Sequence, residues 1–194
     1  MTNVLILGAN GSIARVAIDL FLKKTDTQLT LFLRNTHRLR NIDSNRVRII
    51  EGDVLDIEKL KEVMIGQDVV YANLAGQLER MAINVVEAMD ATGIKRLIWI
   101  SSMGIYSEVP GERYRSILDP YRDSAAIIET SDLDYTILRP GWFSYEDEID
   151  YEITQKGEPF IGHDVSRKSV ADLVVKLAVT PGMEVRSSLG VSKP

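Results

Sequence analysis

Residues 8–14 read Gly-Ala-Asn-Gly-Ser-Ile-Ala, between an apolar run at 4–7 and an amphipathic stretch at 13–23. Gly8 ends the run and opens a tight turn. Gly11 leaves the backbone bare where a helix begins, and there the unpaired N–H groups and the helix dipole favour an anion. A side chain at that position would block a pyrophosphate. Ala14 is small enough for the helix to pack closely on the strand. Gly8, Asn10, Gly11, Ser12 and Ile13 are therefore candidate diphosphate ligands. The spacing is G-x-x-G-x-x-A rather than G-x-G-x-x-G. The plainer alternative is a tight strand–helix connection with no ligand.

The end of the second apolar run, 29–33, is the next place where chemistry is written. Dinucleotide sites selective for NAD carry Asp or Glu there, on the ribose hydroxyls. This chain has Arg34, with Arg38 one turn on. A guanidinium suits a 2′-phosphate through charge-assisted, often bidentate bonds, so NADP(H) is expected in preference to NAD(H). Asn35 and Thr36 offer a cap and further donors. The alternative is a solvated basic face, because Arg40, Arg46 and Arg48 follow closely. Asp53 would accept a bond from an adenine amino group, with Val54 against the ring, or else Asp53 is a turn residue and Asp56 caps a helix over 57–64. Asn73, Leu74 and Ala75, in the small-residue exit from the run at 69–72, would let a cofactor lie against the backbone.

These positions need a scaffold that brings successive strand ends together. The apolar runs at 4–7, 29–33, 47–50, 69–72, 97–100 and 135–138 are short, continuous and β-branched, as in strands buried on both faces. Helical patterns at 13–23, 81–91, 120–130 and 166–178 lie between or after them, with Gly93 as a helix stop and Ser166 as a cap. Alternation of this kind predicts a single α/β domain over 1–194, a doubly wound parallel sheet with helices on both faces. Loops at about 103–119 and 142–164 follow predicted strand ends, where such sheets bind ligands. The 194 residues include no cysteine and two histidines, His37 and His163, far apart in sequence. Disulfides, thiolate chemistry and a histidine metal cluster are thus not expected. A net charge of −5 argues against a general nucleic-acid binder. No apolar run nears the roughly 18 residues of a membrane span. No basic region precedes the first run, which Gly8 and Asn10 interrupt, so it does not read as a signal peptide. A cytoplasmic protein is expected.

Together, "GANGSIA", "LFLRN", "GDVLD", "RLIWISSMGIY" and "SDLDYTILRPGWF" resemble the atypical short-chain dehydrogenases of the NAD(P)H-binding, NmrA-like group, which includes biliverdin reductase B-like and NADH-flavin reductase-like proteins. The resemblance spans nearly the whole chain. It implies a Rossmann-like domain with the cofactor across the strand ends. Residues after Arg139-Pro140-Gly141, here Trp142 and Phe143, would approach the nicotinamide. Ser101, Pro140, Gly141 and Trp142 join the candidate cofactor contacts on this ground. Ser102 matches the segment that supplies an active-site serine, with Tyr106 and Tyr121 as further catalytic candidates; a purely structural role for the two serines stays equally open.

One departure stands out. The superfamily's Tyr-x-x-x-Lys is missing: Tyr106, Tyr114 and Tyr121 are followed four residues later by Pro110, Leu118 and Ala125. Two functions follow. One is an NADPH-dependent reductase of a planar, flavin- or quinone-like acceptor, walled by Tyr106, Tyr114, Tyr121, Trp142, Phe143 and Tyr145. The other is a non-catalytic NADP(H) sensor of the NmrA kind, acting through a protein partner. The partner of the reductase would be a small molecule, with neither nucleic acid nor membrane involved. The acidic stretch 145–152 reads as a solvated edge that could also repel anionic substrates. His163 is a loop residue, or an acid if it faces the pocket.

Overall fold

The computed structural model describes every residue except 40, 41 and 43, so Arg40 lies outside the described residues. Five helices and ten strands follow in chain order: β1 (Asn3–Leu7), α1 (Ser12–Lys24), β2 (Gln28–Leu33), β3 (Val47–Glu51), α2 (Ile57–Met64), β4 (Val69–Ala72), α3 (Leu78–Thr92), β5 (Arg96–Ile100), α4 (Asp119–Glu129), β6 (Asp134–Pro140), β7 (Trp142–Ser144), β8 (Glu152–Gln155), β9 (Asp164–Ser166), α5 (Arg167–Val179) and β10 (Ser187–Ser192).

Side chains alternate across a strand, so one covered on both faces needs apolar residues at every position. β1 meets this condition. Val4 and Ile6 enter a core shared with α1 and α5. Leu5 and Leu7 enter a second core, with side chains from α2, α3 and α4. The main sheet runs β3-β2-β1-β4-β5-β6-β10-β8, parallel throughout except that β8 is antiparallel to β10. The chain moves outward from β1 through β2 to β3, then crosses back to β4. The strand order therefore reverses between β1 and β4, the point at which open α/β sheets leave a crevice beyond the strand ends.

All six strands expected from apolar runs fall inside β1–β6, and the helical patterns fall within or overlap α1–α5. The local signals hold as well. Asp56 accepts the Lys59 N–H at 3.1 Å to cap α2, and Ser166 accepts the Ser169 N–H at 2.9 Å to cap α5. α3 stops at Gly93, whose φ of 77° is left-handed.

The four strands β7–β10 were not expected. β10, Ser-Ser-Leu-Gly-Val-Ser, has too few apolar residues to read as a strand, yet Leu189 and Val191 are fully buried because β6 and β8 pair on either side of it. β7 and β9 have three residues each and pair only with one another. Both lie in or beside the stretch 142–164, which is therefore partly regular. Among the described residues no helix is long and apolar enough to cross a membrane.

Candidate functional site

Two cavities open at the carboxyl ends of the strands. The first, about 470 Å³, spans the ends of β1, β2, β3 and β4. Gly8, Asn10 and Gly11 form its floor. Gly8 has a φ of 75°, donates to the Phe32 carbonyl at 3.0 Å, and a Cβ on it would run into the Asn73 carbonyl. Gly11 is the N-cap of α1 with extended backbone and no side-chain cap, so the first-turn N–H groups have no capping acceptor. A Cβ on Gly11 would overlap the Asn73 side-chain amide and fill the space before the helix start. Glycine at both positions thus lets Asn73 close onto the turn, and both glycines line the cavity at the start of α1, where free N–H groups suit a diphosphate.

The remaining expected cofactor residues divide clearly. Arg34 and Arg38, both exposed, line this cavity with Asp53, Val54, Asn73, Leu74 and Ala75. Among the described residues neither guanidinium forms an ion pair. The alternative of one continuous basic face does not describe Arg46. Its side chain donates to the carbonyls of Leu22, Thr25 and Thr27, closing the C-terminal end of α1 at the opposite end of the sheet. Asn35 accepts the His37 N–H at 3.1 Å, capping the short turn Thr36–Arg38, whereas the Thr36 hydroxyl is engaged by Glu51. Asp53 both lines the cavity and accepts the Leu55 N–H at 2.9 Å, so its turn role and its cavity role coexist. Ser12 and Ile13 are not in the wall: Ser12 is exposed, and Ile13 points into the core beneath. Only their backbone N–H groups remain candidates.

Arg15 was not anticipated. It donates to both oxygens of Asn10 and to the Arg38 carbonyl at 2.9 Å, tying the glycine turn to the Arg38 turn. The one signal for it is a cation on the first exposed turn of a helix that starts beside an anion hollow.

The second cavity, about 350 Å³, lies beyond β5 and β6. Its wall is mostly apolar and includes Ser101, Ser102, Met103, Tyr114, Leu118, Tyr121, Pro140, Gly141, Trp142 and Phe143. Ser101 is 5% exposed, and its Oγ has no hydrogen-bond partner among the described residues. A buried hydroxyl without a partner costs about 1–3 kcal/mol, and this one sits just beneath the cavity surface. The Ser102 Oγ donates to the Met103 carbonyl at 3.1 Å. The Tyr114 hydroxyl donates to Asp119 at 2.7 Å, and partial desolvation together with that carboxylate holds its pKa above the usual phenol value. Trp142 is 51% exposed and stacks on His163, with ring centroids 6.3 Å apart.

Several expectations need correction. Tyr106 is not in the wall. Its hydroxyl donates to Glu129 at 2.9 Å and lies 3.1 Å from the Ser188 Oγ, and burial pushes its pKa well up. His163 does not line the cavity, and its Nδ1 lies 2.5 Å from Asp164. Tyr145 is 91% exposed and outside the wall. The acidic stretch 145–152 is outside the cavity wall, as its reading as a solvated edge expects, and does not face an acceptor there. Glu148 sits 2.8 Å from Lys193 and Asp147 sits 2.6 Å from Lys168.

Arg139, the first residue of the Arg-Pro-Gly turn, is fully buried behind the cavity. It pairs with Glu108 at 2.6 Å and donates to the Ser188 Oγ and carbonyl at 3.0 and 3.1 Å. The same Glu108 carboxylate accepts the Gly104 and Tyr106 N–H groups, each at 2.9 Å. The loop that shapes the second cavity is thereby clamped to the end of β6.

A family model described as NAD(P)H-binding matches residues 8–181. The chain belongs to the NAD(P)H-binding family. A Rossmann-fold NAD(P)-binding family protein from Shigella flexneri is 45% identical with a TM-score of 0.90, covering 100% of this chain and 94% of that one. A short-chain dehydrogenase/reductase from Veillonella parvula, solved in complex with NADP, is 29% identical with a TM-score of 0.91, covering 100% and 95%. Quinone oxidoreductase 2 of Escherichia coli is 22% identical over 145 residues, 73% of this chain and 49% of that protein, about half its length. The residues present fit a nicotinamide dinucleotide: the first turn of α1 has no side-chain cap, and the Arg34 and Arg38 guanidinium groups in the same wall form no ion pair among the described residues.

Two outcomes follow. Glu108→Ala should leave the Arg139 guanidinium buried without its carboxylate and lower stability by about 3–5 kcal/mol in denaturant unfolding. Gly8 and Gly11 should separate. Gly8→Ala should destabilise the fold, by about 1–2 kcal/mol from the left-handed backbone alone. Gly11→Val must displace the Asn73 side chain and crowd the Gly8 carbonyl, and should lose NADPH binding at least about tenfold in a fluorescence titration, more than its change in melting temperature accounts for.

Proposed function

We propose that this protein is an NADPH-dependent oxidoreductase that reduces a small planar acceptor of flavin- or quinone-like kind. The observation that carries the reading is the sequence of two unlike cavities at neighbouring strand ends. One is polar and lined by glycines at a helix start; the other is mostly apolar and lined by Tyr114, Tyr121, Trp142 and Phe143. A quinone oxidoreductase among the relatives, and a related dehydrogenase solved with NADP, support the same reading.

The residues would act as follows. The α1 N–H groups beyond Gly11 would hold the diphosphate, with Asn10 fixed for that purpose by Arg15. Arg34 and Arg38 would hold the 2′-phosphate that distinguishes NADPH. Bound NADPH supplies a hydride. Tyr121, Leu118 and Trp142 would keep a flat acceptor parallel to the cavity wall, so alignment provides much of the rate. Ser101 would donate to an acceptor oxygen or to the nicotinamide amide. A quinone takes up the hydride and one proton to give the quinol, and that proton comes from water through the open mouth. No lysine-paired tyrosine is needed, because the reduced conjugated product is stable without a strong acid. The cytoplasm, where soluble nicotinamide nucleotide is at hand, is the compartment this reading assigns.

One observation favours the second reading, a non-catalytic NADP(H) sensor that signals to a protein partner. Tyr106 is engaged by Glu129 and Ser188, and Tyr114 by Asp119, so neither phenol is poised as an acid. NADPH oxidation measured with FMN, riboflavin and naphthoquinones decides. Turnover supports the reductase; tight NADPH binding with no turnover on any acceptor supports the sensor.

Arg34→Ala should weaken NADPH by about 1.5–3 kcal/mol, the value of a hydrogen bond to a charged group, and barely affect NADH. Equal affinity of the parent protein for both nucleotides would overturn the preference. Tyr106→Phe and Tyr121→Phe should each lower kcat by less than the roughly 10²–10⁴-fold that accompanies loss of a general acid. Trp142→Ala should cost more, through lost alignment. A thousand-fold fall in either phenylalanine variant at unchanged NADPH affinity would identify that tyrosine as the proton donor.

A further inference from the structure

The segment Glu112-Arg113-Tyr114-Arg115 forms one side of the second cavity. Tyr114 is explained by its bond to Asp119. Arg113 and Arg115 are not explained by the fold. Both are exposed, and among the described residues neither guanidinium has an ion-pair or hydrogen-bond partner. Arg122, just beyond them, shows the contrast: it is held by Asp119 and Asp123 and lies 5.3 Å from the Tyr114 ring.

The chain's net charge is −5, yet two cations line this cavity without an ion pair among the described residues, whereas much of the nearby acidic stretch is paired. Glu108 is neutralised by Arg139 behind the wall. Lys193 collects Glu146, Glu148 and Asp150, and Lys168 takes Asp147. The only carboxylate in the cavity wall among the described residues is Glu112, and it pairs with neither arginine. The wall therefore offers two fork-shaped donors beside an apolar slot. Guanidinium groups in this arrangement bind phosphate or carboxylate oxygens with directed, charge-assisted bonds.

We infer that the acceptor is a planar ring system carrying an anionic arm, a phosphate or a carboxylate, which Arg113 and Arg115 hold while the ring occupies the apolar part of the cavity. This rests on the second cavity being the acceptor site. It adds a selectivity: between two acceptors with the same ring, the charged one is preferred. Because both guanidinium groups are exposed, the preference falls as salt screens them.

FMN and riboflavin share one ring and differ by a phosphate, which makes them the decisive pair; FMN and riboflavin fluorescence quenching gives affinity, and NADPH oxidation gives kcat/KM. The expected result is a preference for FMN of about tenfold or more at low salt, shrinking at 0.5 M KCl. In Arg113→Gln/Arg115→Gln the ratio should fall to near one. Arg48→Gln, the same charge loss on the distant edge strand β3, should keep it. A ratio near one in the parent protein, or a ratio that survives the double substitution, overturns the inference. Turnover of both flavins without discrimination leaves the reductase standing and removes the anion site. Arginine-dependent FMN binding without turnover of any acceptor does the reverse. Failure of both flavins to bind overturns the anion site, and turnover of naphthoquinones then still supports the reductase.

Discussion

The pair between Arg139 and Glu108 is the contact on which the rest of the functional end depends. Both side chains are almost entirely out of water, at 0% and 5% exposure. Removing either one leaves a charge in the interior, which is far more costly than never having placed the pair there. Its arrangement also explains its reach. The guanidinium takes the Ser188 hydroxyl and carbonyl from β10, while the carboxylate takes two backbone N–H groups from the loop after β5. Three segments distant in sequence are joined at one point. The cavity beyond β5 and β6 keeps its shape because its loop cannot leave without exposing that pair. Tyr106 lies over the Arg139 guanidinium, with 5.1 Å between the charge centre and the ring, and completes the packing.

The two cavities use different physics. In the first, the polar partners are backbone groups made available by missing side chains, at Gly8 and Gly11, with guanidinium groups at the rim. In the second, large side chains exclude water from most of the wall, and polar groups are few. On the proposed function, a hydride donor and a conjugated acceptor would use this division. Charge recognition belongs at the end remote from the chemistry, and a dry, flat wall belongs where the rings must face each other. The strand-order reversal between β1 and β4 places both on one edge of the sheet.

The sheet itself illustrates how local and distant information combine. β1, β2, β4, β5 and β6 are interior strands with apolar side chains needed on both faces, whereas β3, expected to be covered in the same way, is an edge strand with no buried residue because only β2 pairs with it. β10 lies near the sheet edge with serines at 188 and 192 buried to 4% and 2% exposure, and it exists because β6 and β8 satisfy its backbone. The Ser188 of that strand is then available to receive Arg139.

The sequence by itself determined the parts whose cause is local. Continuous apolar runs required strands covered on both faces, and the intervening helical periods required crossovers, so the doubly wound sheet was legible. The glycine turn, the arginine after β2 and the caps at Asp56, Gly93 and Ser166 were legible for the same reason: each depends on neighbours within a few residues. Only the tertiary structure decided what depends on partners far along the chain. Tyr106 has the right spacing from Ser102 for a catalytic role, but Ser188, 82 residues away, and Glu129 draw its hydroxyl elsewhere. Arg139 belongs to a turn associated with the nicotinamide, yet Glu108 holds it behind the wall. β10 has no periodicity of its own to announce it. Hydrogen bonds and ion pairs between remote segments leave no period in the sequence, because either partner could equally have met water until the fold brought the other to it.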